Sequence, residues 1–153
     1  MATLSVVGTP IGNLEDITLR VLRVLREADI VLCEDTRVTQ KLLARHGIAD
    51  KQLSAWNEQQ SGVAAEKVIA WLEEGKSVAL VTDAGTPGIS DPGAILVQKV
   101  RGTLPEVKVE SVPGPSALTA ALSVSGVSIH DFLFLGFLPH KKGRETLFKE
   151  IAE

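Results

Sequence analysis

The sequence predicts an open α/β fold, with one parallel β-sheet sandwiched between helices. Three observations carry this. Short apolar runs alternate with amphipathic segments through most of the 153 residues, and such β-α alternation implies parallel strands joined by crossover helices. The strands are nearly continuous in apolar residues, as strands covered on both faces are. Loops rich in Gly, Pro and Asp follow them, at the carboxyl ends of the strands where open α/β sheets bind ligands.

The elements follow in order. Leu4–Val7 is a first strand. Val21, Val24, Leu25 and Ala28 recur at helical spacing between Arg20, Arg23, Arg26 and Glu27, with Asp16 as a plausible cap. Ile30–Cys33 is a second strand. Thr36 or Arg37 opens a helix that Gly47 closes. Gln52–Trp56 is a weak third strand. Ala65, Val68, Ile69 and Leu72 mark a helix closed by Gly75. Ser77–Thr82 is the strongest strand signal, followed by a helix from Gly93 to Arg101, a strand Val107–Val112 and a helix Ser116–Ser125 backed by Gly126. Phe132–Phe137 then reads as a further strand, and a helix begins after the basic loop His140-Lys141-Lys142-Gly143-Arg144. This new start breaks the rhythm. It suggests that residues 1–126 form one α/β domain and residues 127–153 a hinge, near Gly126–Asp131, and the beginning of a second that the natural polypeptide would complete.

Composition bounds the function classes. The chain is 44% hydrophobic and 23% charged, with net charge −3, so any nucleic-acid site must be a local patch. The length suffices for a core that buries roughly 70% of the extended-chain surface. A single cysteine, Cys33, excludes an intramolecular disulfide, fits a reducing cytoplasm and reads as core. No signal-peptide pattern opens the sequence, and no apolar run approaches a membrane span.

The most informative loop is Val81–Gly93, with three glycines and two prolines. Its backbone is both unusual and stiff, which suits a ligand gripped by main-chain groups. The loop Gly8-Thr9-Pro10-Ile11-Gly12-Asn13-Leu14 also follows a strand. It matches neither G-x-G-x-x-G nor a P-loop, which argues against dinucleotide oxidoreductases and NTPases; a plain tight turn is the alternative. Glu34-Asp35-Thr36-Arg37 stands at another strand end, where Asp35 is either a helix cap or a site residue. Asp83 reads as a site residue and Asp91 as a cap for a helix starting at Pro92. Pro113-Gly114-Pro115-Ser116-Ala117 leads into a helix of small residues that a ligand can approach closely. Lys141, Lys142 and Arg144 form the densest basic cluster. With Arg37, Lys41 and Arg45 they would make a phosphate-binding rim if the segments are adjacent.

Taken together, Gly-Thr-Pro-Ile-Gly-Asn-Leu (8–14), Glu-Asp-Thr-Arg (34–37), Asp-Ala-Gly-Thr-Pro (83–87), Ser-Asp-Pro-Gly (90–93), Pro-Gly-Pro-Ser-Ala (113–117) and Gly-Phe-Leu-Pro (136–139) resemble the ribosomal RNA small subunit methyltransferase I family. That family belongs to the tetrapyrrole-methylase superfamily of S-adenosylmethionine-dependent enzymes. The resemblance implies two α/β domains with the methyl donor between them, and a homodimer. It implies 2′-O-methylation of a cytidine ribose in small-subunit ribosomal RNA or the 30S subunit. By resemblance the donor touches Ala84, Gly85, Thr86 and Ile89, together with Ser116 and Ala117. Pro10, Ile11 and Gly12 match the glycine-rich loop that completes the donor site nearer the acceptor. One departure is visible: family members usually carry a His-rich stretch before Asn-Glu, whereas here Ser54-Ala55-Trp56 precedes Asn57-Glu58, so no role of those histidines carries over.

A ribose hydroxyl is a weak nucleophile at neutral pH, and a proton acceptor would help. Asp35 and Asp83 are the candidates, with Arg37 either holding a phosphate or pairing with Asp35. Lys141, Lys142 and Arg144 are the RNA-binding candidates, and no metal is chemically required. Two alternatives stand beside this reading: a methylase of a small corrin or porphyrin precursor, and a non-catalytic nucleotide-binding module. The Gly-Phe-Leu-Pro segment and the basic loop favour RNA.

Overall fold

The computed structural model describes residues 2–56, 61–139 and 142–152. Strands β1 (Thr3–Val7), β2 (Ile30–Cys33), β3 (Gln52–Ala55), β4 (Ser77–Leu80) and β5 (Lys108–Val112) alternate with α1 (Leu19–Glu27), α2 (Thr36–Arg45), α3 (Ser61–Glu73) and α4 (Gly93–Thr103). Two further helices follow, α5 (Ala117–Ser123) and α6 (Lys142–Ala152). The five strands form one sheet in the order β3-β2-β4-β1-β5, every neighbour parallel.

Alternation along each strand sorts side chains to two cores. Ile30, Leu32, Val78 and Leu80 join Val68, Leu72, Leu96 and Val100 of α3 and α4 on one face. Val31, Cys33, Ala79 and Val81 join Val21, Leu25 and Leu43 of α1 and α2 on the other. The near-continuous apolar strands are thus two interleaved sets, each facing its own helix layer. Cys33 belongs to the second core; it is fully buried, and burial pushes its thiol pKa up. It packs rather than reacts.

Most elements lie where the periodicity places them, with shifts that have local causes. The cap of α1 is Thr18, whose hydroxyl accepts the Val21 N–H at 3.1 Å. Asp16 does not cap because it sits in the turn before, its N–H donated to the Asn13 carbonyl at 3.0 Å. Asp35 caps α2, and the helix ends before Gly47 at φ +64°. β4 stops at Leu80; just beyond it Val81 N–H still donates to the Leu32 carbonyl at 2.9 Å, and the Thr82 carbonyl accepts the Thr9 hydroxyl at 3.0 Å.

Residues 132–137 are not a strand. A strand needs a neighbour to satisfy its backbone, and among the described residues none runs beside this segment. Its large apolar side chains face outward, with Leu133 81% and Phe137 86% exposed. α6 does form, but neither it nor α5 contributes a side chain to the two cores. No helix of the described residues is long and apolar enough to cross a membrane.

Candidate active site

β1 and β4 are neighbours, yet the helices that follow them lie on opposite faces of the sheet. This opens a crevice at their carboxyl ends, the position where open α/β sheets bind ligands. The loops that meet there are pinned to one another. Thr9 N–H donates to the Gly85 carbonyl at 2.8 Å and Gly85 N–H returns to the Thr9 carbonyl at 3.1 Å. The Thr9 side chain is almost fully buried, and its hydroxyl lies 3.0 Å from the Thr82 carbonyl and 3.3 Å from that of Gly85. Gly85 holds φ +86°, and a Cβ added there would meet Ile11 Cγ2 at 3.6 Å. Pro10, Ile11 and Gly12 therefore stand beside Ala84, Gly85 and Thr86.

A second contact joins the β1 loop to the β5 loop. Gly8 and Gly114 pack backbone on backbone. A Cβ on Gly8 would lie 2.7 Å from the Gly114 nitrogen, and one on Gly114 would lie 2.6 Å from the Gly8 carbonyl oxygen. Gly8 N–H also donates to the Val112 carbonyl at 3.0 Å. This brings Ser116, at the N-cap position of α5, and Ala117 onto the same edge. Ser116 makes no side-chain cap bond there.

The far end of the β4 loop is tied down by Asp91. Its carboxylate accepts the Gly88 N–H at 2.8 Å and the Gly93 N–H at 2.7 Å. Pro92 occupies the cap position of α4, so Asp91 acts one residue earlier than expected and serves the loop as well as the helix. Between its anchors, Gly88 holds φ +89° and Ser90 holds φ +63°, and Ile89 projects outward, 53% exposed. The buried Trp56 after β3 donates its indole N–H to the Pro92 carbonyl at 3.2 Å. Gly136 passes close by: a Cβ there would lie 3.7 Å from Ser90 Oγ.

The charged group lies at the ends of β2 and β4. Asp35 Oδ1 accepts the Arg37 N–H at 2.8 Å, and Asp35 Oδ2 accepts Arg37 Nη2 at 2.6 Å. The Arg37 guanidinium, aided by the backbone N–H groups, holds the Asp35 carboxyl down at about 2. Asp83 Oδ1 accepts the Asp35 N–H at 3.2 Å, and Glu34 accepts the Thr82 hydroxyl. Asp35 is thus the cap of α2 and the ion-pair partner of Arg37.

The structure brings the β1, β2, β4 and β5 loop residues to one edge. It does not do so for the basic cluster. Lys141, like Asn57 and Glu58, lies outside the described residues, as does the side chain of Lys142. Arg144 donates to the Pro139 carbonyl at 3.4 Å, and no hydrogen bond or ion pair among the described residues ties it to Arg37, Lys41 or Arg45. Thr9, Trp56 and the double role of Asp91 escape the sequence reading. Thr9 stands inside a quoted motif, but its partner lies 76 residues away. Two surface hollows of about 500 and 480 Å³ lie elsewhere, one between α2 and β3 and one across the amino ends of β1, β4 and β5. The crevice is instead an open edge walled by loops.

The profile of the Tetrapyrrole (Corrin/Porphyrin) Methylases matches residues 3–153. The chain is 50% identical to ribosomal RNA small subunit methyltransferase I of Thermotoga maritima over 153 residues, covering all of this chain and 68% of that protein. It is 53% identical to the protein of the same name from Neisseria meningitidis serogroup A over 149 residues, covering 95% of this chain and 50% of that one. The chain thus spans between half and two thirds of the length of these relatives. A solved uroporphyrin-III-C-methyltransferase from Thermus thermophilus superposes with TM-score 0.61 at 28% identity, over 84% of this chain and 54% of that one. The profile match over nearly the whole length, the identities and the shared architecture together show that this chain belongs to the tetrapyrrole (corrin/porphyrin) methylase family.

Proposed function

We propose that the protein transfers a methyl group from S-adenosylmethionine to the 2′-hydroxyl of a cytidine ribose in small-subunit ribosomal RNA. The Thr9–Gly85 clasp carries this reading. It presents the main chain of 10–12 and 84–86 as one cradle at the β1/β4 crevice, flanked by Ser116 and Ala117. The fit is chemical as well as geometric. The walls are backbone, small side chains and the exposed Ile89, suited to a small ligand with polar ends and an apolar middle. When bound, the sulfonium supplies an electrophilic methyl carbon. The protein supplies alignment, worth up to about 7–11 kcal/mol in ideal cases. It also supplies a proton acceptor. Asp35 is occupied by Arg37 and held at about 2, a weak base at neutral pH. Asp83, which among the described residues receives only the Asp35 N–H, is the better candidate, with Asp35 fixing Arg37 toward a neighbouring phosphate.

The names of the relatives support the RNA substrate. The name of the Thermus neighbour supports a second reading, methylation of a porphyrin precursor on the same fold. Labelled methyl transfer to 30S subunits against uroporphyrinogen III separates the two. Incorporation into RNA, mapped as one 2′-O-methylcytidine that is missing in cells lacking the gene, is expected; transfer only to uroporphyrinogen overturns the proposal. Calorimetry with S-adenosylmethionine, NAD and ATP tests the non-catalytic alternative, with binding expected for the first alone. We place the domain boundary near residue 126, where α5 has ended and a segment begins that adds no side chain to the two cores. The apolar surface from Val124 to Leu138 fits the homodimer, and the ribosomal substrate fits a cytoplasmic location.

A further inference from the structure

Charge is distributed unevenly over the helices. α1 and α2 carry Arg20, Arg23, Arg26, Arg37, Lys41 and Arg45 against one carboxylate of their own, Glu27, while Glu110, Asp35 and Glu15 pair Arg20, Arg37 and Arg45 from outside the helices. The chain as a whole is at −3. α3 and α4, on the opposite face, balance Lys67, Lys99 and Arg101 against Glu66 and Glu73. α1 and α2 pack on the same core and are linked through their flanks: Arg26 donates to the carbonyl of His46, the C-cap of α2, at 3.3 Å, and Arg45 faces Glu15, in the segment before α1, at 3.9 Å. Their cations therefore share one surface.

The surface has a direction. On α2, Arg37, Lys41 and Arg45 are four residues apart, about 6 Å per step along one side of the helix. The row starts with Arg37 at the carboxyl edge and runs down the flank of the molecule. Arg23 and Arg45 are each 60% exposed, and their ion pairs span 3.4 and 3.9 Å. Exposed pairs of this kind are worth little, so the guanidinium groups can exchange them for phosphate, which arginine binds in two-pronged fashion.

We infer that the joint outer face of α1 and α2 is a track for the phosphate backbone of single-stranded RNA, leading the strand to the carboxyl edge at Arg37. The inference rests on the RNA-methylation reading and adds where that RNA lies. It does not use the 140–144 loop.

The test is filter binding of a single-stranded fragment of small-subunit RNA over a range of salt concentrations. The proteins compared are wild type, the triple variant Arg23→Gln/Lys41→Gln/Arg45→Gln, and a like-charged control on the other face, Lys67→Gln/Lys99→Gln/Arg101→Gln. Each phosphate contact on a single strand contributes about 0.7 to the slope of log affinity against log salt, so losing three lowers it by about 2. The first triple is expected to show this drop and the control none, with S-adenosylmethionine binding by calorimetry unchanged in both. Wild-type slope in the α1–α2 variant, or an equal loss in the control, overturns the track while leaving the substrate reading intact. A wild-type protein that binds donor but no RNA overturns the substrate reading, and the track with it.

Discussion

Asp35 and Arg37 tie the start of α2 together as cap and ion pair, at the edge proposed as the site. The carboxylate caps α2 and grips the guanidinium, so its pKa falls from 3.8 to about 2. A depressed carboxyl stabilises the fold above its unfolded pKa and loses that contribution as pH falls through the folded one. The pair is therefore intact at neutral pH and fails between about pH 4 and pH 2. In Arg37→Ala the Asp35 carboxyl should titrate higher, with the remaining depression left to the backbone N–H groups of 37 and 38, readable by NMR. Methylation should fall more than stability does, and turnover unchanged in this variant would remove Arg37 from the site. Thr9 supplies the second residue-scale expectation. Thr9→Val keeps the shape and the backbone bonds to Gly85 but takes the hydroxyl donor from the Thr82 carbonyl, at a cost of about 1–3 kcal/mol. Donor affinity measured by calorimetry should fall with stability, and Thr9→Ser should restore both. Wild-type donor affinity in Thr9→Val would show that the clasp does not shape the cradle.

Elements meet where side chains are absent. β1 and β5 bring Gly8 onto Gly114 at distances no Cβ tolerates, and the atoms in the way are backbone. Gly8→Ala must push the two strand ends apart, an overpacking cost of about 1–3 kcal/mol. Gly102 is the opposite case. It lies in α4, exposed, with nothing within 4 Å of an added Cβ, so Gly102→Ala should stabilise by about 0.5–1 kcal/mol through helix propensity. Urea midpoints of the two variants should move in opposite directions. The carboxyl ends of β1, β2 and β5 are readable from their apolar runs and the turn residues behind them, whereas those of β3 and β4 fall short of the run. The cap of α1 is not readable, because Asp16 and Thr18 are both good caps and only the Asn13 turn decides between them.

The whole molecule is a two-faced sheet with a tail that adds nothing to its cores. β1, β2 and β4 lie inside the sheet between two cores, whereas α5 and residues 131–139 are largely exposed. Hydrogen exchange should follow this division, slowest in the three inner strands and close to unprotected from 127 to 139. Concentration-dependent protection of 131–139 would show that self-association covers its apolar side chains. At this scale the site is an edge rather than a cavity: four loops, each leaving a different strand, held in register by the sheet below them.

By itself the sequence determined the alternation of elements, the two-sided burial of the strands and the glycine- and proline-rich loops at their carboxyl ends. Each of these is written in near neighbours: a period, a turn residue, a run of small side chains. It misjudged residues 132–137, whose apolar composition satisfies a strand's side chains but not its backbone, which needs a partner from elsewhere. Only the tertiary structure decided the order β3-β2-β4-β1-β5, and with it the contact of Thr9 with Gly85 across 76 residues. That pairing depends on which strands share a sheet edge, a property of long-range packing that no local pattern along the chain encodes.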